Sequence, residues 1–247
     1  WWGNAVSVSD FSDIWLHEGF ATYSEMIFAE HKKGYDSSLL YARHWISGWI
    51  NNKLPVIGPP DVSYWNSKDN DVYNKGAMVL HTIRNVLNDS TLFFNILQTF
   101  YGEHAASSHV TTSDFIEVVE RKTGKDWDKF FEAYLYNREV PVLNWYPGPY
   151  DKVQDPDLNV PIGAAFVVAK WTNVPEGFSM PVELDCKDGN ASETIGVTTK
   201  PTRFYLKDMS SCNQLICNKR LSYFSTVTDK SVLEEISLNT MTTIGED

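Results

Sequence analysis

The sequence predicts an α+β chain in two dissimilar parts, helical first and β-rich second, and three observations carry that expectation. Apolar residues recur with a helical period from Phe11 to about residue 140. Five prolines and no periodicity follow in "PVLNWYPGPYDKVQDPDLNVP", residues 141–161. Beyond it, short β-branched and aromatic runs alternate with Gly, Pro, Asn and Asp turns, as in a β-sandwich. The expected division is a helical domain over 1–145, a linker over 146–160, an antiparallel β-sandwich over 161–226 and a polar tail or terminal strand over 227–247.

Each helix has its own signal. Asp10 or Ser12 caps a first helix whose apolar positions Leu16, Phe20, Tyr23 and Ile27 share one face, and Gly34 closes it. "DSSLLYARHWISGWINNK" starts a second at Asp36 and ends before Pro55. "LPVIGPPDVSYWNSKDND" reads as an irregular loop. Gly76, Val79, Leu80, Ile83, Val86 and Leu87 trace a third helix; Leu92–Tyr101, Phe115–Val119 and Trp127–Tyr136 mark three more. In the second part, "AAFVVAKW", "MPVELDCK", "ETIGVTT", "TRFYLKD" and "RLSYFSTV" are the expected strands.

Composition excludes several functions. With 21 Lys and Arg against 32 Asp and Glu, the formal charge of −11 repels phosphate backbones, so nucleic acid is not an expected partner. No apolar run approaches the roughly 20 residues of a membrane span, and no segment has the pattern of a signal peptide. Cys186, Cys212 and Cys217 are too few for a disulfide framework. Two readings stay open: free thiols, or a small loop closed between Cys212 and Cys217 in an oxidising compartment. The second, with the polar loops, is the basis for an extracytoplasmic expectation.

"DIWLHEGFATYSE", residues 13–25, sets His17 and Glu18 side by side on a helix, as a zinc protease motif begins. A His-Glu-x-x-His motif needs a second histidine four residues on, and that position is Ala21. Alone, the stretch is not a zinc site. On an ideal helix Ala21 and Thr22 lie one turn along the face of Glu18, leaving room above its carboxylate, whereas His17 projects roughly 100° away. Glu25, seven residues on, shares the Glu18 face.

Together, "WWGN", "SDIWLHEGFATYSE" and "DVYNKGAMVL" resemble the aminopeptidase N family of zinc metallopeptidases, gluzincins with a thermolysin-like catalytic domain. That family has eighteen residues between its His-Glu-x-x-His motif and its third zinc ligand, which lies within Trp-Leu-Asn-Glu-Gly-Phe-Ala. Counting back from Glu18 puts the second histidine two positions before Trp1, so the other ligands and the catalytic glutamate are expected upstream of residue 1. Trp1 is itself no translation start.

The resemblance implies that Glu18 is the third ligand of one zinc ion, and that Tyr73 of "VYNKG" donates a hydrogen bond to the oxyanion. His17, where the family commonly has Asn, falls to the pocket wall with Thr22 and Glu25. "GAM" at Gly76–Met78 begins like the family's Gly-Ala-Met-Glu-Asn substrate motif, but Val79 and Leu80 replace its last two residues. The implied function is the C-terminal portion of a zinc aminopeptidase acting on peptides with a free N-terminus, partnered by its own upstream part and inactive when isolated. The rival reading is a non-catalytic pseudopeptidase or a β-sandwich binding module. A His-Glu-x-x-His sequence before Trp1 would discriminate between them.

Overall fold

The computed structural model describes residues 1–61, 69–148, 165–189, 191–206, 209, 212, 214–233 and 235–236. The chain divides into two compact units, Trp1–Val140 with Arg220–Tyr223, and Pro141–Lys219 with Phe224–Asp247. Much of the proline-rich junction, residues 149–160, lies outside the described residues, as do residues 237–247 of the expected tail.

The first unit is mainly helical. The Asp10 carboxylate accepts from the Ser12 amide at 2.7 Å and starts a 3-10 turn that runs into α1, Trp15–Lys33. Gly34, at φ +88°, ends α1 in a conformation that penalises a Cβ. The second helical segment is α2, Tyr35–Tyr41, continued by a π turn at Ala42–Ile46 and a 3-10 turn at Ser47–Trp49. It starts one residue before Asp36, because the buried Ser38 hydroxyl closes the first turn by donating to the Tyr35 carbonyl at 2.7 Å.

Next come α3, Asn74–Leu87, and α4, Ser90–His104, the latter capped by Asp89 accepting from the Leu92 amide. A capping box of Thr111 and Asp114 opens α5, Thr112–Thr123, and α6, Asp128–Phe131, runs on into a π turn at Glu132–Tyr136. A short parallel pair, β1 (Val6–Val8) with β2 (Ser107–Val110), was not expected, since three or four residues are too few to show alternation.

Aromatic rings fix this unit. Phe115 of α5 meets Trp15, Phe20, Phe100 and Phe131 edge-on, with centroids 5.1 to 6.1 Å apart. Edge-to-face pairs contribute about 0.5–1.5 kcal/mol each beyond their buried area, so α1, α4, α5 and α6 are pinned around one side chain. The polar side of α3 holds residues 220–223. His81 Nε2 lies 2.8 Å from the Arg220 carbonyl, Asn85 donates to the same carbonyl, and Thr82 accepts from the Tyr223 amide.

Among its described residues, the second unit contains two sheets. One has the order β7 (Thr202–Leu206), β4 (Ala165–Thr172), β3 (Val142–Pro147), β9 (Ser225–Thr228). The other is β6 (Ser192–Thr198), β5 (Ser179–Cys186), β8 (Leu215–Cys217), all antiparallel. An all-antiparallel arrangement was expected, but β9 pairs with β3 in parallel. No tight hairpin leads into β9, because the chain leaves the second unit at Lys219 and rejoins it only at Phe224, so nothing local imposes antiparallel pairing. The cysteine reading also changes: Cys186 at the end of β5 is bonded to Cys212, and Cys217 keeps a free thiol that burial pushes up to about 11.

Candidate metal and catalytic site

Two glycines bring the sequence-predicted residues together. A Cβ on Gly19 would stand 3.0 Å from the Cα and carbonyl carbon of Gly76 and 3.2 Å from the Val72 carbonyl oxygen, so α1 and α3 cross backbone to backbone. Glu18 precedes one glycine, and Tyr73 stands one turn before the other, as the residue that leads into α3. The close crossing therefore places Glu18 and Tyr73 on adjoining turns of adjacent helices.

Glu18 is half-buried and, among the described residues, its carboxylate has no hydrogen-bond or ion-pair partner. Three other carboxylates on the helices are paired with cations. Glu30 forms a two-pronged ion pair with Arg84 at 2.6 and 2.8 Å, Glu103 pairs with Arg121, and Glu132 with Lys129. The ordinary fate of a helix carboxylate, pairing with a cation, is thus not that of Glu18.

His17 is occupied. Its Nε2 accepts from the Val8 amide at 3.0 Å, which places the neutral ring's proton on Nδ1, and burial lowers its pKa. Gly3 packs over the ring at φ +90°, and a Cβ there would meet His17 Cγ and Nδ1 at 3.4 Å. His17 anchors the "WWGN" turn and β1 to α1.

Tyr73 is held through its neighbours. The fully buried Asp71, two residues before it, accepts from the Asn51 and Asn52 amides at 3.0 and 2.7 Å. The fully buried Lys75, two residues after it, donates from Nζ to the carbonyls of Asn137 and Arg138 at 3.0 and 2.7 Å. Burial lowers the Lys75 pKa to about 8, against a smaller opposing effect of Asp71. The motif reading missed both residues, although a lysine inside the apolar run "NKGAMVL" was a usable signal.

Thr22 is half-buried on α1, and Glu25 is exposed and accepts from the Tyr41 hydroxyl at 2.6 Å. Glu25 lines an open cavity of about 810 Å³ with Ala21, Ser24, Phe28, Tyr41 and Trp45, and Phe28 and Trp45 are 62% and 66% exposed. The face of α1 that runs on from Glu18 is therefore uncovered and apolar. One described group of three acidic residues, Glu120, Asp126 and Asp128, brings carboxylate oxygens within 4.8 Å of one another, and it lies at the α5–α6 turn, apart from Glu18. Two of its members already accept from the Trp127 and Asp128 amides.

A model of the peptidase family M1 domain matches residues 1–134, more than half of the chain. An aminopeptidase N of Streptomyces lividans is 27% identical over 153 residues, 58% of this chain and 18% of that protein. Aminopeptidase M1 of Arabidopsis thaliana is 22% identical over 228 residues, 86% of this chain and 24% of that protein. The chain thus spans a quarter or less of the length of these relatives. The crystal structure of Legionella pneumophila aminopeptidase A in complex with aspartic acid is similar with a TM-score of 0.68 at 17% identity, over 100% of this chain and 30% of that one.

Proposed function

Because the chain belongs to peptidase family M1, we propose that it is the C-terminal portion of a zinc-dependent aminopeptidase, with Glu18 as the third metal ligand and Tyr73 as the oxyanion donor. The observation that carries the reading is the uncommitted Glu18 carboxylate, set beside the Tyr73 turn by the Gly19–Gly76 crossing. The donor chemistry fits in part. A carboxylate oxygen is a normal zinc ligand beside two imidazoles, and the small Ala21 and half-buried Thr22 flank it one turn on. His17 is no substitute ligand, since its Nε2 is taken by the Val8 amide.

When bound, the ion supplies a water of lowered pKa and a Lewis acid for the scissile carbonyl. The chain's own residues do the rest of what is assigned to this half of the site. Glu18 presents one anionic oxygen from a helix whose position the aromatic cluster fixes. Tyr73 offers a phenolic donor where negative charge develops on the carbonyl oxygen, a contribution realised in the transition state. The two histidines and the general base come from an upstream part of the same protein, for which the open apolar cavity on α1 is the proposed seat. Peptides with a free N-terminus are the proposed substrates, and the sheets of the second unit are proposed to pack as the β-sandwich that follows this domain. Expected boundaries near 145, 160 and 226 remain part of this proposal, beside the unit division at Val140.

The test is Glu18→Ala beside Tyr73→Phe in the full-length protein, with zinc measured by elemental analysis and turnover measured on a leucyl amide. Glu18→Ala should lose both metal and activity. Tyr73→Phe should keep its zinc while kcat falls by roughly 10²–10³, the magnitude for one oxyanion donor. Retained zinc in the first variant, or unchanged kcat in the second, would remove the corresponding assignment.

A further inference from the structure

Lys75 is an odd choice for its position. It lies in the first turn of α3 with Gly76, Ala77, Met78, Val79 and Leu80, all buried, and its own side chain is fully buried too. Removing an ammonium from water is costly, and a well-packed apolar side chain is often no worse for stability. What the ammonium adds is direction. Its two bonds reach the carbonyls of Asn137 and Arg138, just past the π turn that ends the α6 segment, where backbone acceptors lack helical donors and the helix dipole favours a cation.

The placement relative to Tyr73 follows from helical spacing. Residues two apart on a helix point roughly 200° apart, whereas residues three apart share a side. Tyr73, whose backbone is already helical, therefore lies on the Gly76 side of α3, the side pressed against Gly19, while Lys75 takes the opposite side and Asp71 stands in the 3-10 turn Asn70–Val72 that leads in. Asp71 ties that lead-in turn to residues 51–52, and Lys75 ties the start of α3 to residues 137–138. The turn carrying Tyr73 is thus clamped between a glycine contact in front and two buried charged tethers behind.

We infer that Lys75 is a positioning residue for Tyr73, holding the entry turn of α3 against α1 so that the phenol meets the reacting carbonyl oxygen. The inference rests on the proposed role of Tyr73, and a double-mutant cycle separates the two. In the full-length enzyme, Lys75→Met keeps most of the side-chain volume and removes the tether. Its kcat should fall about 10- to 100-fold, as for misplacement by about an ångström, with KM and zinc content unchanged. In a Tyr73→Phe background the same change should cost nothing further, because the group it positions is already gone.

Equal losses from Lys75→Met in both backgrounds, or no loss in either, would overturn the inference while leaving Tyr73 in its role. An unchanged kcat for Tyr73→Phe alone would overturn both. Should Lys75→Met be insoluble, Lys75→Arg keeps the charge but displaces the donors. Its smaller loss should likewise appear only when Tyr73 is present, and an equal loss in both backgrounds would refute the role.

Discussion

Replacing Gly19 by alanine tests whether the helix crossing sets the geometry proposed for Glu18 and Tyr73. The added Cβ would lie 3.0 Å from two backbone carbons of Gly76 and 3.2 Å from the Val72 carbonyl oxygen. Carbon atoms settle at about 3.5–4.0 Å, so α1 and α3 must part by roughly 0.5–1 Å at this point. No side-chain rotation relieves the contact, because all three opposing atoms are backbone. Such overpacking costs about 1–3 kcal/mol, and the better helix propensity of alanine returns about 0.8–1.0 kcal/mol. The net loss of stability is therefore about 0–2 kcal/mol. Catalysis is more exposed, because a misplacement of about 1 Å costs on the order of 10² in rate, and Glu18 and Tyr73 sit on opposite sides of the opened gap. The assay is kcat on a leucyl amide beside a urea midpoint, in the full-length enzyme. Gly102→Ala on α4, where an added Cβ meets nothing within 4 Å, serves as the control and should leave kcat unchanged. A folded Gly19→Ala enzyme with kcat within twofold of wild type would refute the reasoning, as would a loss of rate that merely tracks the unfolded fraction.

Two further outcomes are expected. The 247-residue chain alone should show no peptidase activity and hold zinc no better than a surface carboxylate, since one oxygen donor cannot replace two imidazoles; dialysis against trace zinc, elemental analysis and an aminoacyl amide assay would check this, and stoichiometric zinc with turnover would sink it. Burial holds His81 neutral and lowers its pKa to about 4, below the 6.5 of an exposed imidazole, so the unfolded chain binds the extra proton first and this contribution, present above pH 6.5, is lost as the pH falls toward 4. His81→Gln, whose amide can donate to the Arg220 carbonyl in place of Nε2, should flatten that part of the urea-midpoint profile, and an unaltered slope would count against the assignment.

The helices were legible because their signals are local. Asp10 and Gly34 mark the ends of the first helical run, and the apolar positions of the third helix repeat over four turns. The β1–β2 pair and the parallel β9 were not legible, because each depends on where a distant segment lies: β1 on residues a hundred positions away, and β9 on the excursion through residues 220–223. The Cys186–Cys212 bond was hidden for the same reason. Sequence proximity offered Cys212 with Cys217 as the one alternative to free thiols, whereas the β5–β8 register sets Cys186 opposite Leu215 and brings it within bonding distance of Cys212.

The candidate site was readable in its chemistry and unreadable in its support, and the difference has a physical origin. A motif records residue types whose function depends on what they are: a carboxylate, a phenol, a glycine. The groups that hold them depend on where they reach. Lys75 looks like a misplaced surface lysine until its ammonium is found on the Asn137 and Arg138 carbonyls, and Asp71 looks like a turn aspartate until it is found on the Asn51 and Asn52 amides. Gly19 and Gly76 lie between these kinds, because a glycine beside a motif residue is visible in the sequence but its partner is not. Only the crossing shows that each glycine is required by the other's backbone, and that the turns carrying Glu18 and Tyr73, fifty-five positions apart in sequence, belong to two helices that meet where two methyl groups are absent.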